Sequence, residues 1–146
     1  MTVLDATMEL LHVLFAGVWA GWTLFVAALV VPAARDGRLG AEALDWLTGR
    51  YAQFSTLAAV VLFATGGHLA GTRYEVESLT GTGRGHLVLA MVALWFALAG
   101  LSHVGRSRLS DALDRESASD AAAGVAPIFY AAGAVAVGLL LVAGLL

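Results

Sequence analysis

Four unbroken apolar tracts, at about residues 10–31, 54–71, 87–104 and 125–146, decide what this chain can fold into. Each approaches the roughly 20 residues that an α-helix needs to cross ~30 Å of hydrocarbon. A membrane-crossing backbone must satisfy its own N–H and C=O groups, so a tract of this length reads as a helix. Transmembrane β-strands would alternate apolar and polar residues over ~10 positions, and these tracts do not. With 60% hydrophobic and 13% charged residues the sequence lies far from the soluble average. The expectation is an all-α, integral membrane four-helix bundle, a single domain over residues 1–146, with the lipid bilayer as its first partner.

The first tract differs from a signal peptide. Asp5 and Glu9 precede it where a basic segment belongs, and its apolar run is longer than a typical signal core, so it reads as a retained helix. The chain has no cysteine, which excludes disulfides, thiolate metal sites and thiol nucleophiles. A net charge of −3 provides no basic surface for nucleic acid. No Gly-rich phosphate loop follows a strand, and neither a Ser–His–Asp order nor paired catalytic carboxylates can be assembled within the spans. Whether the protein is an enzyme is left open at this level.

All eight basic residues are arginines. Arg35, Arg38, Arg50, Arg106, Arg108 and Arg115 fall between the first and second or the third and fourth tracts, whereas only Arg73 and Arg84 fall on the opposite side. This bias of six to two assigns the arginine-rich loops to the cytoplasm and both termini to the extracellular or periplasmic side of the cell membrane.

Pro32 lacks a backbone donor and is expected to end the first helix. Leu39, Leu44, Trp46 and Leu47 then read either as a short interfacial helix anchored by Trp46 or as an ordered loop. The charged segment after residue 105 suits a solvated extension of the third helix. GTGRG, Gly81 to Gly85, reads as a flexible turn. Gly17 with Gly21 and Gly67 with Gly71 form small-xxx-small patterns expected to bring helix backbones together.

The histidines carry the functional signal. His12 starts the first tract, His68 ends the second and His86 starts the third, so alternating helix directions place all three in the outer leaflet. His103, seventeen residues beyond His86, lies ~25 Å away near the cytoplasmic face, and its role is not readable. Ionisable residues inside spans are rare and count as functional candidates. Met8 is one turn from His12 and Met91 is five residues beyond His86, so two thioethers can approach the same volume. Imidazole with thioether, in the absence of thiolate, suits copper better than calcium or magnesium. Glu9, three positions before His12, is placed to orient that ring or to act as an outer ligand. The plainer readings are that His12 bridges helices by a hydrogen bond, that His86 rests at the headgroups, and that Met8 and Met91 fill gaps.

Phe54-Ser55-Thr56-Leu57-Ala58, Thr65-Gly66 and Leu79-Thr80-Gly81-Thr82, with Gly85 and a Leu-rich helix ending in Arg106 and Arg108, resemble the membrane domain of the copper-resistance D (CopD) family. Leu11-His12-Val13-Leu14 with Val18-Trp19-Ala20-Gly21 is similar to its first motif. The resemblance covers roughly residues 10 to 108. It implies a four-helix copper-handling unit in copper transport, delivery or resistance, with an outward-facing copper-binding partner protein. Few ionisable groups lie along the inner half of the spans, so a transport path would need a homo-oligomer or another partner. His12, His68, His86, Met8 and Met91 are the candidate ligands.

Two other readings stay open. One is a b-type haem held by two of the same histidines, with Gly66 and Gly67 leaving room for the macrocycle and Arg73 or Arg84 meeting its propionates; the HemJ-like protoporphyrinogen oxidases are similar in presenting a histidine on the first helix. The other is a structural membrane subunit that binds no metal.

Overall fold

A computed structural model describes residues 2–146. Among these residues there are helices and no strands. Four helical rods are long and apolar enough to cross a membrane: Val3–Arg35, Ala41–Arg73, Gly83–Leu113 and Ala118–Leu145. The first rod comprises α1 (Val3–Phe25), a π-helical turn (Val26–Val30) and α2 (Val31–Arg35). The others are α3 (Ala41–Arg73), α5 (Gly83–Leu113) and α6 (Ala118–Leu145), with a short α4 (Val76–Gly81) between α3 and α5. Each rod packs on its sequence neighbours, and α6 closes the ring against α1 and α2. Four crossings bring both termini to one end, here the termini end; the opposite end holds the arginine-rich connections.

Pro32 does not end the first helix. The π-helical turn immediately before it lets the Val31 N–H reach Val26 O, and the rod continues to Arg35. Widening the helix there relieves the clash between a proline ring and the preceding turn. The rod then reverses through Gly37, whose φ of 72° favours a residue without a Cβ.

Neither an interfacial helix nor a loop forms at Leu44–Leu47. These residues belong to the opening turns of α3, continuous with the second span. Leu44 is fully buried whereas Trp46 is 60% exposed and stacks under Arg50, with the guanidinium carbon 5.7 Å from the ring centroid. At 33 residues α3 extends ~50 Å, well beyond the hydrocarbon, and α5 likewise runs on to Leu113, as the charged segment suggested. Leu44, Leu109, Ala121 and Ala122 give the arginine end a buried core of its own.

GTGRG is an ordered junction rather than a flexible turn. Thr82 caps α5 by accepting from Gly85 N at 3.0 Å. A Cβ at Gly85 would collide with the carbonyls of Ser78 and Leu79, so glycine permits α4 to fold against the start of α5.

Packing is uneven along the bundle. Buried side chains concentrate from mid-span to the arginine end, around Trp19, Val26, Tyr51, Leu98, Leu109 and Phe129. On α6 a stripe of Ala121, Ala122, Val125, Ala126, Phe129, Ala132, Gly133 and Ala136 faces inward. Small residues are what close approach in lipid requires, because apolar area alone supplies no drive between helices there. A Cβ at Gly133 would lie 3.1 Å from Ala27 Cβ, and one at Gly105 would lie 3.2 Å from the Phe129 ring. The small-xxx-small pairs singled out in the sequence do none of this. Gly17, Gly21, Gly67 and Gly71 are exposed, with no heavy atom within 4 Å of a Cβ position, because they lie on faces turned away from the bundle.

Polar side chains join three rods at mid-span. Trp19 Nε1 donates to Ser55 Oγ at 3.0 Å. The Thr23 hydroxyl donates to Trp19 O at 2.8 Å, as a threonine inside a helix commonly does. It therefore accepts the Tyr51 hydroxyl at 3.1 Å. Ser102 likewise donates to Leu98 O at 2.7 Å, so it too accepts from Tyr51, at 2.7 Å, and the single Tyr51 proton is shared between the two hydroxyls. Among the described residues the buried side-chain polar atom left without a partner is Trp95 Nε1.

Candidate functional site

The seam between α1 and α3 at the termini end gathers Asp5, Glu9, His12, His68 and Arg73. The capping box at Thr2 fixes the start of α1: Asp5 N donates to Thr2 Oγ1, while Thr2 N and Thr2 Oγ1 both donate to Asp5 Oδ2. The other carboxylate oxygen, Oδ1, is left facing α3, where His68 Nε2 meets it at 3.0 Å. A carboxylate can only accept, so His68 donates through Nε2. In the neutral ring, Nδ1 then carries the lone pair.

His12 is fixed by the same logic from the opposite helix. Its Nδ1 lies 2.9 Å from Thr65 Oγ1. The Thr65 hydroxyl spends its proton on Val61 O at 2.8 Å, so it accepts from His12 Nδ1–H. The neutral ring therefore keeps the lone pair of Nε2. Two imidazoles on adjacent helices are thus each held by one nitrogen with the other nitrogen free, the arrangement by which metal-binding histidines are oriented.

Gly66 makes room for this arrangement, though not for a large guest. A Cβ there would stand 3.0 Å from His12 Cε1, so the His12 ring itself occupies the space. Gly67 faces open surroundings. Glue between the helix ends comes from Arg73, whose Nη2 binds Glu9 Oε2 at 2.7 Å. Glu9 consequently does not orient His12; Thr65 does, and Asp5 orients His68. Asp5 was visible in the sequence only as a charge preceding the apolar tract. Its carboxylate partners His68 across 63 positions, a pairing that no local spacing encodes.

The remaining candidates are placed as follows. Met8, one turn before His12, is half-buried, as is Met91 on α5. His86 stands exposed in the first turn of α5, where its Nε2 donates to Thr80 O at 2.9 Å and leaves Nδ1 free. Arg84 is exposed nearby. His103 lies exposed at the far end of α5, apart from the other three. No group of three or more His, Cys, Asp or Glu side chains close enough to hold a metal ion occurs among the described residues. The structure therefore pairs His68 with Asp5 and His12 with Thr65 on one seam, and holds His86 separately in the first turn of α5, against Thr80 O.

A groove of about 590 Å³ lies elsewhere, between α3 and α5 toward the arginine end. It shares no lining residue with the histidine seam.

Four apolar rods around a polar mid-span network, with oriented imidazoles on one interhelical seam, define a multi-pass membrane protein with metal-competent side chains at one end. The chain belongs to the CopD family: the model for copper resistance protein D matches residues 46–146, from the second turn of α3 to the end of α6. The match takes in His68, His86 and Met91, while His12 and Met8 precede it. No curated protein and no solved structure matches the chain.

Proposed function

We propose that the protein binds copper at its termini end and serves copper transport, delivery or resistance in the cell membrane, with that end facing outward. His12 Nε2 and His68 Nδ1 are the principal ligand atoms. Met8, Met91 and His86 are the side chains that complete the shell. The observation that carries this reading is the pair of anchored imidazoles, each with one nitrogen committed to a neighbouring helix and the other unspent. The family supplies the metal: copper resistance is what its name denotes, and imidazole with thioether is a copper donor set. The sparse packing of the termini end suits ligand exchange, since α5 between His86 and Ala97 has no fully buried residue.

The haem reading draws no comparable support. The space beside Gly66 is taken by the His12 ring, and Arg73 is paired with Glu9.

Copper loading of the purified protein followed by metal analysis and absorption spectroscopy tests the proposal. Bound copper is expected in the parent protein, a large loss in His12→Ala or His68→Ala, and no Soret band. Full copper retention by the double substitution overturns the ligand assignment.

A further inference from the structure

The groove between α3 and α5 has a shape that the copper reading does not use. It has Ser55 and Ala99 along its course, and at one end the Phe63 and Trp95 rings meet across it with centroids 5.7 Å apart. At the other end stand His103 and Arg106. Trp95 and Arg106 are eleven residues apart on α5, a rise of ~16 Å. That equals about half of the ~30 Å hydrocarbon core, the depth of one leaflet. The groove opens sideways to the bilayer, because Val60, Phe63 and Phe96 along it are 60–66% exposed.

Its charged end is held in place. Arg106 Nη1 binds Asp45 Oδ1 at 2.8 Å, and the guanidinium crosses to α3 over Gly49, where a Cβ would lie 3.8 Å from Nη2. One carboxylate engages one nitrogen of the guanidinium, leaving its other N–H groups for an acceptor.

From these features we infer that the groove is a site for an anionic phospholipid of the leaflet at the arginine end. One acyl chain fills the slot as far as the Phe63–Trp95 closure, and the phosphodiester meets Arg106 and His103. Basic pockets between membrane helices select anionic headgroups in this way. A helix from a second copy would continue across both leaflets, whereas this groove stops at mid-membrane. The occupant is therefore lipid rather than protein.

The test uses the full chain in phosphatidylcholine vesicles with trace spin-labelled phosphatidylglycerol or phosphatidylcholine, reading the motionally restricted lipid fraction. Phosphatidylglycerol is expected to be preferred, and Arg106→Gln to reduce that preference about fivefold while leaving restricted phosphatidylcholine unchanged. Ala99→Phe, which fills the slot, is expected to release a restricted component for both lipids. Millimolar inorganic phosphate is expected not to compete. Equal retention of the two lipids by the parent protein overturns the inference, as does a preference untouched by either variant. So does competition by inorganic phosphate, or efficient cross-linking between Val60→Cys copies at high lipid dilution, which would place a second chain in the groove. The parent chain has no cysteine, so that cross-link has one origin.

Discussion

At the scale of single residues, what distinguishes His12 and His68 is the fate of their second nitrogens. In the proposed copper site Thr65 and Asp5 would act only through these rings, so their substitution separates orientation from ligation. Thr65→Val keeps the shape but removes the acceptor for His12, and Asp5→Asn removes the carboxylate beside His68. Each is expected to weaken copper affinity by ~10-fold or more while the protein remains folded. Competition titration with a copper chelator measures this. Affinity unchanged in both variants would remove the anchoring argument, even if the alanine variants of the histidines still lost metal. A substitution at Gly66 acts on the same ring by contact. Gly66→Ala places a methyl 3.0 Å from His12 Cε1, so the ring must shift by a few tenths of an ångström. The expected outcome is a helix no less stable, since alanine favours it by ~1 kcal/mol, together with an altered copper spectrum.

At the scale of helices, the termini end and the arginine end are built by different means. The arginine end is closed by small residues and by the hydroxyl network. Gly133→Leu would force a side chain against Ala27, whose methyl cannot rotate away, so a loss of ~1–3 kcal/mol is expected in thermal or denaturant unfolding in detergent. Tyr51→Phe removes the hydroxyl that joins Thr23 on the first rod to Ser102 on α5. Interhelical hydrogen bonds in membranes average ~0.6 kcal/mol, so the expected loss is of that order and small beside the glycine variant. The reverse ranking would mean that polar contacts, not close packing, hold the rods.

This contrast also shows where sequence reading reached and where it stopped. The four spans, the continuation of the third beyond the membrane and the separation of His103 from the other histidines follow from apolar run length and a fixed rise per residue. Pro32 misled because the missing N–H and ring clash are local facts, whereas their remedy, a widened turn at Val26–Val30, is a response of the packed rod. Gly17 and Gly67 misled because a spacing of four residues puts small residues on one face without saying which way that face points. Gly133 and Gly105 lie in less conspicuous surroundings and make the contacts. At the site, candidate imidazoles were legible as rare residues in apolar tracts. Asp5, Thr65 and Arg73 were not legible as their partners, because those pairings join positions 53 to 64 residues apart.

At the scale of the whole molecule, the proposed function requires the histidine seam to face outward. Single cysteines in an otherwise cysteine-free chain report this directly. Thr72→Cys, near the end of α3, is expected to react with a membrane-impermeant maleimide on intact cells, and Ser117→Cys only after lysis. The opposite pattern would invert the topology, and the copper site would then face the cytoplasm.

By itself the sequence determined that this chain is a bundle of four membrane-crossing helices and which few ionisable side chains enter it. Hydrophobic length and the obligation to satisfy the backbone within lipid leave little else to choose. Only tertiary structure decided which helix faces meet, and so which nitrogen of each histidine is spoken for and which stays free. Those choices depend on contacts between side chains far apart along the chain, and no periodicity within one helix carries them.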